Sequence, residues 1–137
     1  MPITHRWIIP QRVIYVTWYG EITLTDAHEA NRNTARFIEE GIAPVHMLRD
    51  DSSITKIPHV TPRQTLDALH SVRDPRFGWA VNIGHSNAFV RTLTDLYSKF
   101  TRIRIHRAET LEEALAFLKQ ADESLNLSDV QRDIQHS

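Results

Sequence analysis

Short apolar segments along the chain are each followed by a hydroxyl residue and then by a helical pattern of apolar positions. The hydroxyl residues are Thr25, Thr61, Ser86 and Thr110. A Ser or Thr side chain there can accept a hydrogen bond from a backbone N–H of the first helical turn, so each is a predicted N-cap. Gln64 and Glu113 follow two of these caps at the spacing of a capping box.

The apolar pattern predicts five strands and four helices in the order β-β-α-β-α-β-α-β-α. The predicted strands cover residues 5–9, 12–19, 44–49, 79–83 and 103–106. The predicted helices cover residues 26–40 and 62–72, a third segment after Ser86, and residues 111–121. Residues 50–60 are predicted to be an irregular connection. Residues 1–121 therefore form one predicted α/β domain, and residues 122–137 form a tail that either makes one short helix capped by Ser128 or frays.

The second predicted strand is apolar on both of its faces. Val13 and Tyr15 alternate with Ile14 and Val16, which is typical of a strand covered on both sides. By contrast, residues 103–106 alternate between apolar and polar, which indicates an edge strand or one wet face. We interpret Arg102, Arg104 and Arg107 near it as a solvated basic surface.

Composition excludes several classes of function. The chain has 137 residues, 41% of them hydrophobic, with no cysteine and a net charge of −1. This length suits one domain with its own core, and the balanced charge gives no general attraction to nucleic acid. No apolar run approaches the ~20 residues that cross a bilayer, and no signal segment is visible at residues 1–7. We expect a cytoplasmic protein without membrane insertion.

Polar residues gather where the predicted parallel strands end. They are Asp50, Asp51, Ser52, Ser53, His59, Thr61, His85 and Ser86. Ligands of parallel sheets bind at this edge, where helix N-termini favour an anion. One interpretation is a ligand or regulatory cleft; the other is that the hydroxyls are helix caps and the aspartates are solvated. The chain contains no zinc-protease, phosphate-loop or serine-nucleophile motif, so we predict no catalytic residue, metal or cofactor.

The third predicted helix has the widest apolar face of the four. Its candidate interface residues are Phe89, Leu93, Leu96, Tyr97 and Phe100. This face is wider than one sheet contact normally needs. We therefore expect a protein partner or self-association, with a homodimer favoured.

Two segments resemble a known family. The run Val13–Thr23, which contains Gly20-Glu21-Ile22-Thr23, resembles the strand and helix start that open the SpoIIAA-like branch of STAS domains. The run Arg102–Leu118 resembles that branch's closing strand and helix. The resemblance implies a mixed, largely parallel sheet of four to five strands with helices mainly on one face. It also implies a regulatory or protein-binding role rather than catalysis.

One motif departs from that family. STAS regulators of sigma-factor pathways carry an Asp-Ser-Ser-Gly segment at the start of the second helix, where a kinase phosphorylates a serine. Here Asp51-Ser52-Ser53 is followed by Ile54. By local sequence the phosphorylation site would be Ser52 or Ser53, whereas by position in the fold it would be Thr61.

Three functions follow from these observations. The leading hypothesis is a non-enzymatic STAS-like module that binds a protein or itself. The first alternative is a carrier of a small apolar ligand or lipid, indicated by aromatic residues that include Trp18, Trp79 and Tyr97. The second alternative is a small acid–base or metal-assisted enzyme, in which His59 or His85 would approach Asp50 or Asp51.

Overall fold

The computed structural model describes residues 3–56, 61, 63–64, 74–84 and 104–131. The strands are β1 (Ile3–Ile9), β2 (Val13–Glu21), β3 (Val45–Lys56), β4 (Phe77–Ile83) and β5 (Ile105–Ala108). The helices are α1 (Leu24–Glu40) and α2 (Leu111–Ala121), followed by a short 3₁₀ turn at Leu127–Asp129. The second and third predicted helices lie largely outside the described residues.

The five strands form one sheet in the order β1-β2-β3-β4-β5. β1 and β2 are antiparallel and are joined by a tight turn in which the Arg12 N–H donates to the Ile9 carbonyl at 3.0 Å. The other neighbouring pairs are parallel, with Leu48 opposite Val81 and Val81 opposite His106. The predicted class, a mixed and largely parallel α/β domain, is confirmed. β5 ends the order, which agrees with one of the two alternatives indicated by its alternation, and it lies two residues later than expected.

The two faces of β2 lead into two separate apolar clusters. Val13 belongs to the cluster that includes Leu115 and Leu118 of α2. Ile14 belongs to the other, which includes Ala30 and Ile38 of α1. The predicted burial of β2 on both sides is therefore confirmed. Of the two described helices, α1 packs on one face of the sheet and α2 on the other.

The helix caps agree with the sequence at two positions and differ at a third. Thr61 and Gln64 form the predicted capping box, with bonds of 2.9 and 3.1 Å. Thr110 caps α2, but the Glu113 carboxylate accepts the N–H of Glu109 instead of completing the box.

The prediction that Thr25 caps the first helix is wrong. Thr23 is the cap: its Oγ1 accepts the Asp26 N–H at 3.1 Å, and the Asp26 carboxylate accepts the Thr23 N–H at 2.9 Å. Asp26 follows Thr23 by three residues and can complete such a reciprocal pair. The residue three positions after Thr25 is His28, which has no carboxylate. α1 consequently begins at Leu24, two residues earlier than predicted.

β3 is longer than its sequence suggested. Residues 50–60 were expected to be irregular, but the strand continues to Lys56. The physical reason is that β2 also continues, so that Tyr19 pairs with Ser53 and Glu21 pairs with Lys56. These main-chain pairs form whatever the polarity of the side chains.

The tail after α2 packs against the sheet. Leu125 is 1% exposed, and the Gln131 N–H donates to the Ile8 carbonyl of β1 at 2.7 Å. The 3₁₀ turn is capped by Asn126, whose Oδ1 accepts the Ser128 N–H, so the prediction of Ser128 as a cap is wrong. None of the described helices is long and apolar enough to cross a membrane.

Candidate functional site

A row of polar side chains crosses the α1 face of the sheet near the carboxyl ends of its parallel strands. The strand register places Arg49 of β3 opposite Asn82 of β4, and Asn82 opposite Arg107 of β5. Trp18 of β2 continues the row, because the Arg49 guanidinium carbon lies 4.8 Å from the centre of its ring. With Asp51, which follows Arg49 by two positions on the strand, these residues form the carboxyl-end cluster.

Asp51 is buried without a hydrogen bond to its carboxylate. The residue is 3% exposed, and neither Oδ1 nor Oδ2 has a hydrogen-bond partner. The cation nearest in the strand is Arg49, whose Nη2 lies 3.8 Å from Oδ2, too far for a hydrogen bond. Burial raises the pKa of Asp51, and the positive charge of Arg49 only partly opposes this. A buried carboxylate in this state costs free energy unless another group completes it.

Arg49 and Trp18 supply unmatched donors beside these unmatched acceptors. Nε of Arg49 and Nε1 of Trp18 are both buried without a hydrogen-bond partner. Burial also lowers the pKa of Arg49, and the carboxylate of Asp51 opposes that shift. The cluster therefore contains unmatched donors and unmatched acceptors side by side.

Asp50 and Ser52 form a separate pair at the end of β3. The Asp50 Oδ1 accepts the Ser52 hydroxyl at 2.6 Å and the Ser52 N–H at 3.1 Å. Gly84 follows β4 with a φ of 87°, and a Cβ there would lie 3.3 Å from Cβ of Ser52. A side chain at position 84 would therefore be strained and would crowd Ser52.

The other predicted site residues are only partly described. Ser53 is exposed and lies opposite Tyr19, and Thr61 is exposed at its cap. His59, His85 and Ser86 lie outside the described residues, as do the candidate interface residues Phe89, Leu93, Leu96, Tyr97 and Phe100. The enzyme and apolar-ligand alternatives depend on several of these residues and stay untested. Within the described ranges, no three His, Asp or Glu side chains are grouped as metal ligands.

A second polar cluster, at the amino end of β3, is structural. His46 is 2% exposed, and its Nδ1 accepts the Trp79 N–H at 2.9 Å. Nε2 therefore carries the proton and donates it to Oδ2 of Asp122 at 2.9 Å. Because both ring nitrogens are occupied, His46 has no lone pair left to act as a base. We call His46, Asp122 and Arg12 the amino-end cluster.

The charges of the amino-end cluster are well compensated. Arg12 donates to Oδ2 of Asp122 at 2.7 Å, and Ser124 donates to Oδ1. Burial tends to raise the pKa of Asp122, but the hydrogen bonds from His46 and Ser124 and the charge of Arg12 outweigh it and lower this pKa to about 2. Burial lowers the pKa of His46, and its bond to Asp122 opposes that shift.

Sequence reasoning located the acidic and hydroxyl residues that end β3 but missed the residues around Asp51. Arg107 was interpreted as solvated, whereas it is partly buried and lies in register with Asn82. A signal was present, since Arg49 directly follows a stretch that is apolar except for His46. The neighbours of Arg49 on other strands depend on register, which a single sequence does not reveal.

Comparison with known proteins decides the fold. No protein-family model matches the chain, and no curated protein sequence is significantly similar to it. An uncharacterized DUF3478-family protein with a SpoIIAA-like fold from Shewanella loihica PV-4 superposes with a TM-score of 0.62. That match is 15% identical and covers 85% of this chain and 91% of the other. This chain has a SpoIIAA-like fold.

The anti-sigma factor antagonist SpoIIAA itself is similar in two states. Its unphosphorylated form is 9% identical, with a TM-score of 0.59, and the match covers 85% of this chain and 97% of SpoIIAA. The phosphorylated form of the Bacillus cell fate determinant SpoIIAA is 10% identical, with a TM-score of 0.57, and the match covers 85% and 98%. At these identities the likeness establishes the fold alone, and it confirms the SpoIIAA-like fold implied by residues 13–23 and 102–118.

Proposed function

We propose that this chain is a non-enzymatic, STAS-like regulatory module that acts by binding a protein partner or a second copy of itself. The observation that carries the proposal is the extent of the likeness to SpoIIAA, which spans 85% of this chain and at least 97% of an anti-sigma factor antagonist. The chain therefore has nearly the whole fold of a protein-directed regulator.

The regulatory surface in this proposal lies at the end of β3 and around Thr61. Ser52 and Ser53 are exposed, as a modified or partner-binding residue must be. A phosphoryl group on Ser52 would face the carboxylate that now accepts its hydroxyl at 2.6 Å, and like charges repel. Thr61 is also exposed, and a phosphate at a helix cap is electrostatically favoured. For a phosphorylation switch, Thr61 is thus the better candidate.

Self-association is proposed to use the apolar face predicted for the third helix. The test is sedimentation velocity of the full chain over a wide concentration range. We expect a reversible dimer. Leu96→Lys should weaken it about tenfold or more, because a charge would be buried at the interface. Ser98→Lys is the matched control, because Ser98 falls on the opposite side of a helical projection of the sequence.

Circular dichroism of both variants checks that they are folded. A strict monomer at every concentration, together with no protein retained from cell extract, would contradict the proposal. Equal weakening of the dimer by both lysine variants would contradict the assigned face.

A further inference from the structure

The guanidinium of Arg49 lies between two groups that attract it. Its central carbon is 4.8 Å from the centre of the Trp18 ring, which is a cation–π contact, and its Nη2 is 3.8 Å from Oδ2 of Asp51. The second distance is too long for a hydrogen bond, and both carboxyl oxygens of Asp51 are buried without a partner. The cation therefore lies on the ring and stops short of the carboxyl group.

The charge of Asp51 decides whether this gap is favourable. An unpaired neutral carboxyl group costs much less free energy to bury than an unpaired carboxylate, so the described arrangement suits the neutral acid. The neutral acid offers no opposite charge, and the guanidinium of Arg49 then stays on the indole of Trp18. An ionised Asp51 attracts the guanidinium, because a charge-assisted hydrogen bond is roughly twice as strong as a neutral one.

The movement that closes the gap is small and needs no cavity. A charged N–H···O bond is about 2.7–2.9 Å long, so Nη2 of Arg49 has to approach Oδ2 of Asp51 by about 1 Å. The side chain of Arg49 is 20% exposed, whereas that of Asp51 is 1% exposed. Arg49 is not enclosed on every side, so it is the residue that moves.

The other charged groups that act on Asp51 have weaker effects than Arg49. Asp50, its neighbour on β3, disfavours the carboxylate, and Arg107 of β5 favours it. Arg107 also has an interaction of its own. Burial has the largest effect and raises the pKa of Asp51 from its ordinary value of 3.8. The ionisation of Asp51 is thus displaced towards neutral pH.

We propose that the carboxyl-end cluster is a proton-operated switch, in which Arg49 stacks on Trp18 while Asp51 is protonated and forms a direct ion pair with Asp51 when that proton leaves for the solvent. The switch changes the position of one side chain on the α1 face of the sheet. It does not depend on the protein-binding role proposed above.

The indole N–H of Trp18 reports the position of Arg49. In a ¹H–¹⁵N spectrum of the full chain the indole signals are separate from the amide signals, and Trp18→Phe assigns the one that matters. The chain is titrated from neutral pH into acid. We expect the Trp18 signal to move in one step with a midpoint above 3.8, because the guanidinium beside the ring changes its position.

Two pairs of variants identify the groups responsible. Asp51→Asn should remove the step, because an amide does not ionise, whereas Asp50→Asn, the matched control on the neighbouring residue, should retain it. Arg49→Gln should remove most of the step although Asp51 still ionises. Arg104→Gln, at an exposed arginine, should leave the step intact. Circular dichroism checks that each variant is folded.

The proposal is overturned if the Trp18 signal shows no such step, or if the step persists in Asp51→Asn. A step of unchanged size in Arg49→Gln would also overturn it, because the indole would then report the charge of Asp51 and not a movement of Arg49. Crystal structures on either side of the midpoint give a second measurement. Nη2 and Oδ2 should lie within hydrogen-bond distance above it and near 3.8 Å below it, and equal distances would contradict the switch.

Discussion

β3 buries two polar side chains five positions apart, and the structure treats them in opposite ways. His46, at the amino end, is 2% exposed and has a partner on both ring nitrogens. Asp51, towards the carboxyl end, is 3% exposed and has none on either carboxylate oxygen. The same strand thus contains one complete and one incomplete polar site. Burial alone does not distinguish a structural polar residue from a functional one, whereas its hydrogen bonds do.

The difference identifies which end of β3 is adapted for stability. Hydrogen bonds in the amino-end cluster join β3, β4 and the segment after α2, so this cluster fixes the tail to the sheet. The carboxyl-end cluster gives the fold no comparable set of bonds. Local features that violate the rules of packing and polar satisfaction tend to lie at functional sites, where they are retained at some cost in stability.

The largest expected effect comes from Gly78→Ala at the amino end. A Cβ at position 78 would fall on the imidazole of His46. The ring cannot move away without breaking its bonds to Trp79 and Asp122. We expect a loss of about 3 kcal/mol in the free energy of unfolding, measured by urea denaturation.

The double variant Gly78→Ala/His46→Ala is the control for that clash. Removing the imidazole makes space for the new methyl group, so the two changes should be strongly non-additive. Additive losses would show that the ring and the glycine do not interact as described.

Asp122→Asn should destabilise the protein by about 2 kcal/mol at neutral pH, because it removes the charge that accepts from Arg12 and His46. The pKa of Asp122 is lowered to about 2, so its contribution is present above the unfolded value of 3.8 and is lost as the pH falls towards 2. Denaturation curves at several pH values measure this. A loss that persists unchanged at pH values below 2 would contradict the electrostatic origin.

Mild acid should weaken the fold through His5, which is half-buried, and His46, which is buried. Burial lowers the pKa of His5 from 6.5 to about 4, with a backbone hydrogen bond to Ala30 opposing, and it also lowers the pKa of His46. The unfolded chain therefore binds protons below 6.5 that the folded chain does not, and stability is lost as the pH falls from 6.5 towards 4.

We expect this loss to be about 1–2 kcal/mol, since one unit of pKa shift corresponds to about 1.4 kcal/mol and His5 is partly exposed. His5→Gln should flatten the pH dependence in urea denaturation. An unchanged slope in that variant would exclude His5 as its source.

Sequence patterns predicted the fold better than the site. The alternation in β2 correctly assigned its two buried faces, and the bounds of α2 agree with the apolar spacing of residues 111–121. The end of β3 was missed because Asp50, Ser52 and Ser53 favour turns as isolated residues. Their main chain is nevertheless held by β2. Tertiary pairing overrode local preference there.

The dependence on pairing between strands also explains why the sequence predicted only part of the candidate site. Asp51 was predicted among the polar residues that follow the third strand, whereas it lies within that strand, towards its carboxyl end. Its neighbours on the α1 face come from other strands, and their positions depend on a register that shifts between Thr17 and Tyr19 of β2. A local pattern contains no record of such a shift.

The central claim is that His46 is a structural residue of β3 and that Asp51 is not. Its most direct test is to measure the free energy of unfolding of Asp51→Asn across the acidic and neutral pH range. Because burial raises the pKa of Asp51, its ionisation penalises the folded state as the pH rises above 3.8. We predict that the variant is more stable than the natural chain by about 1 kcal/mol at neutral pH, and that the difference vanishes in acid. A loss of stability at neutral pH, like that expected for Asp122→Asn, would contradict the account, because it would make Asp51 a structural residue.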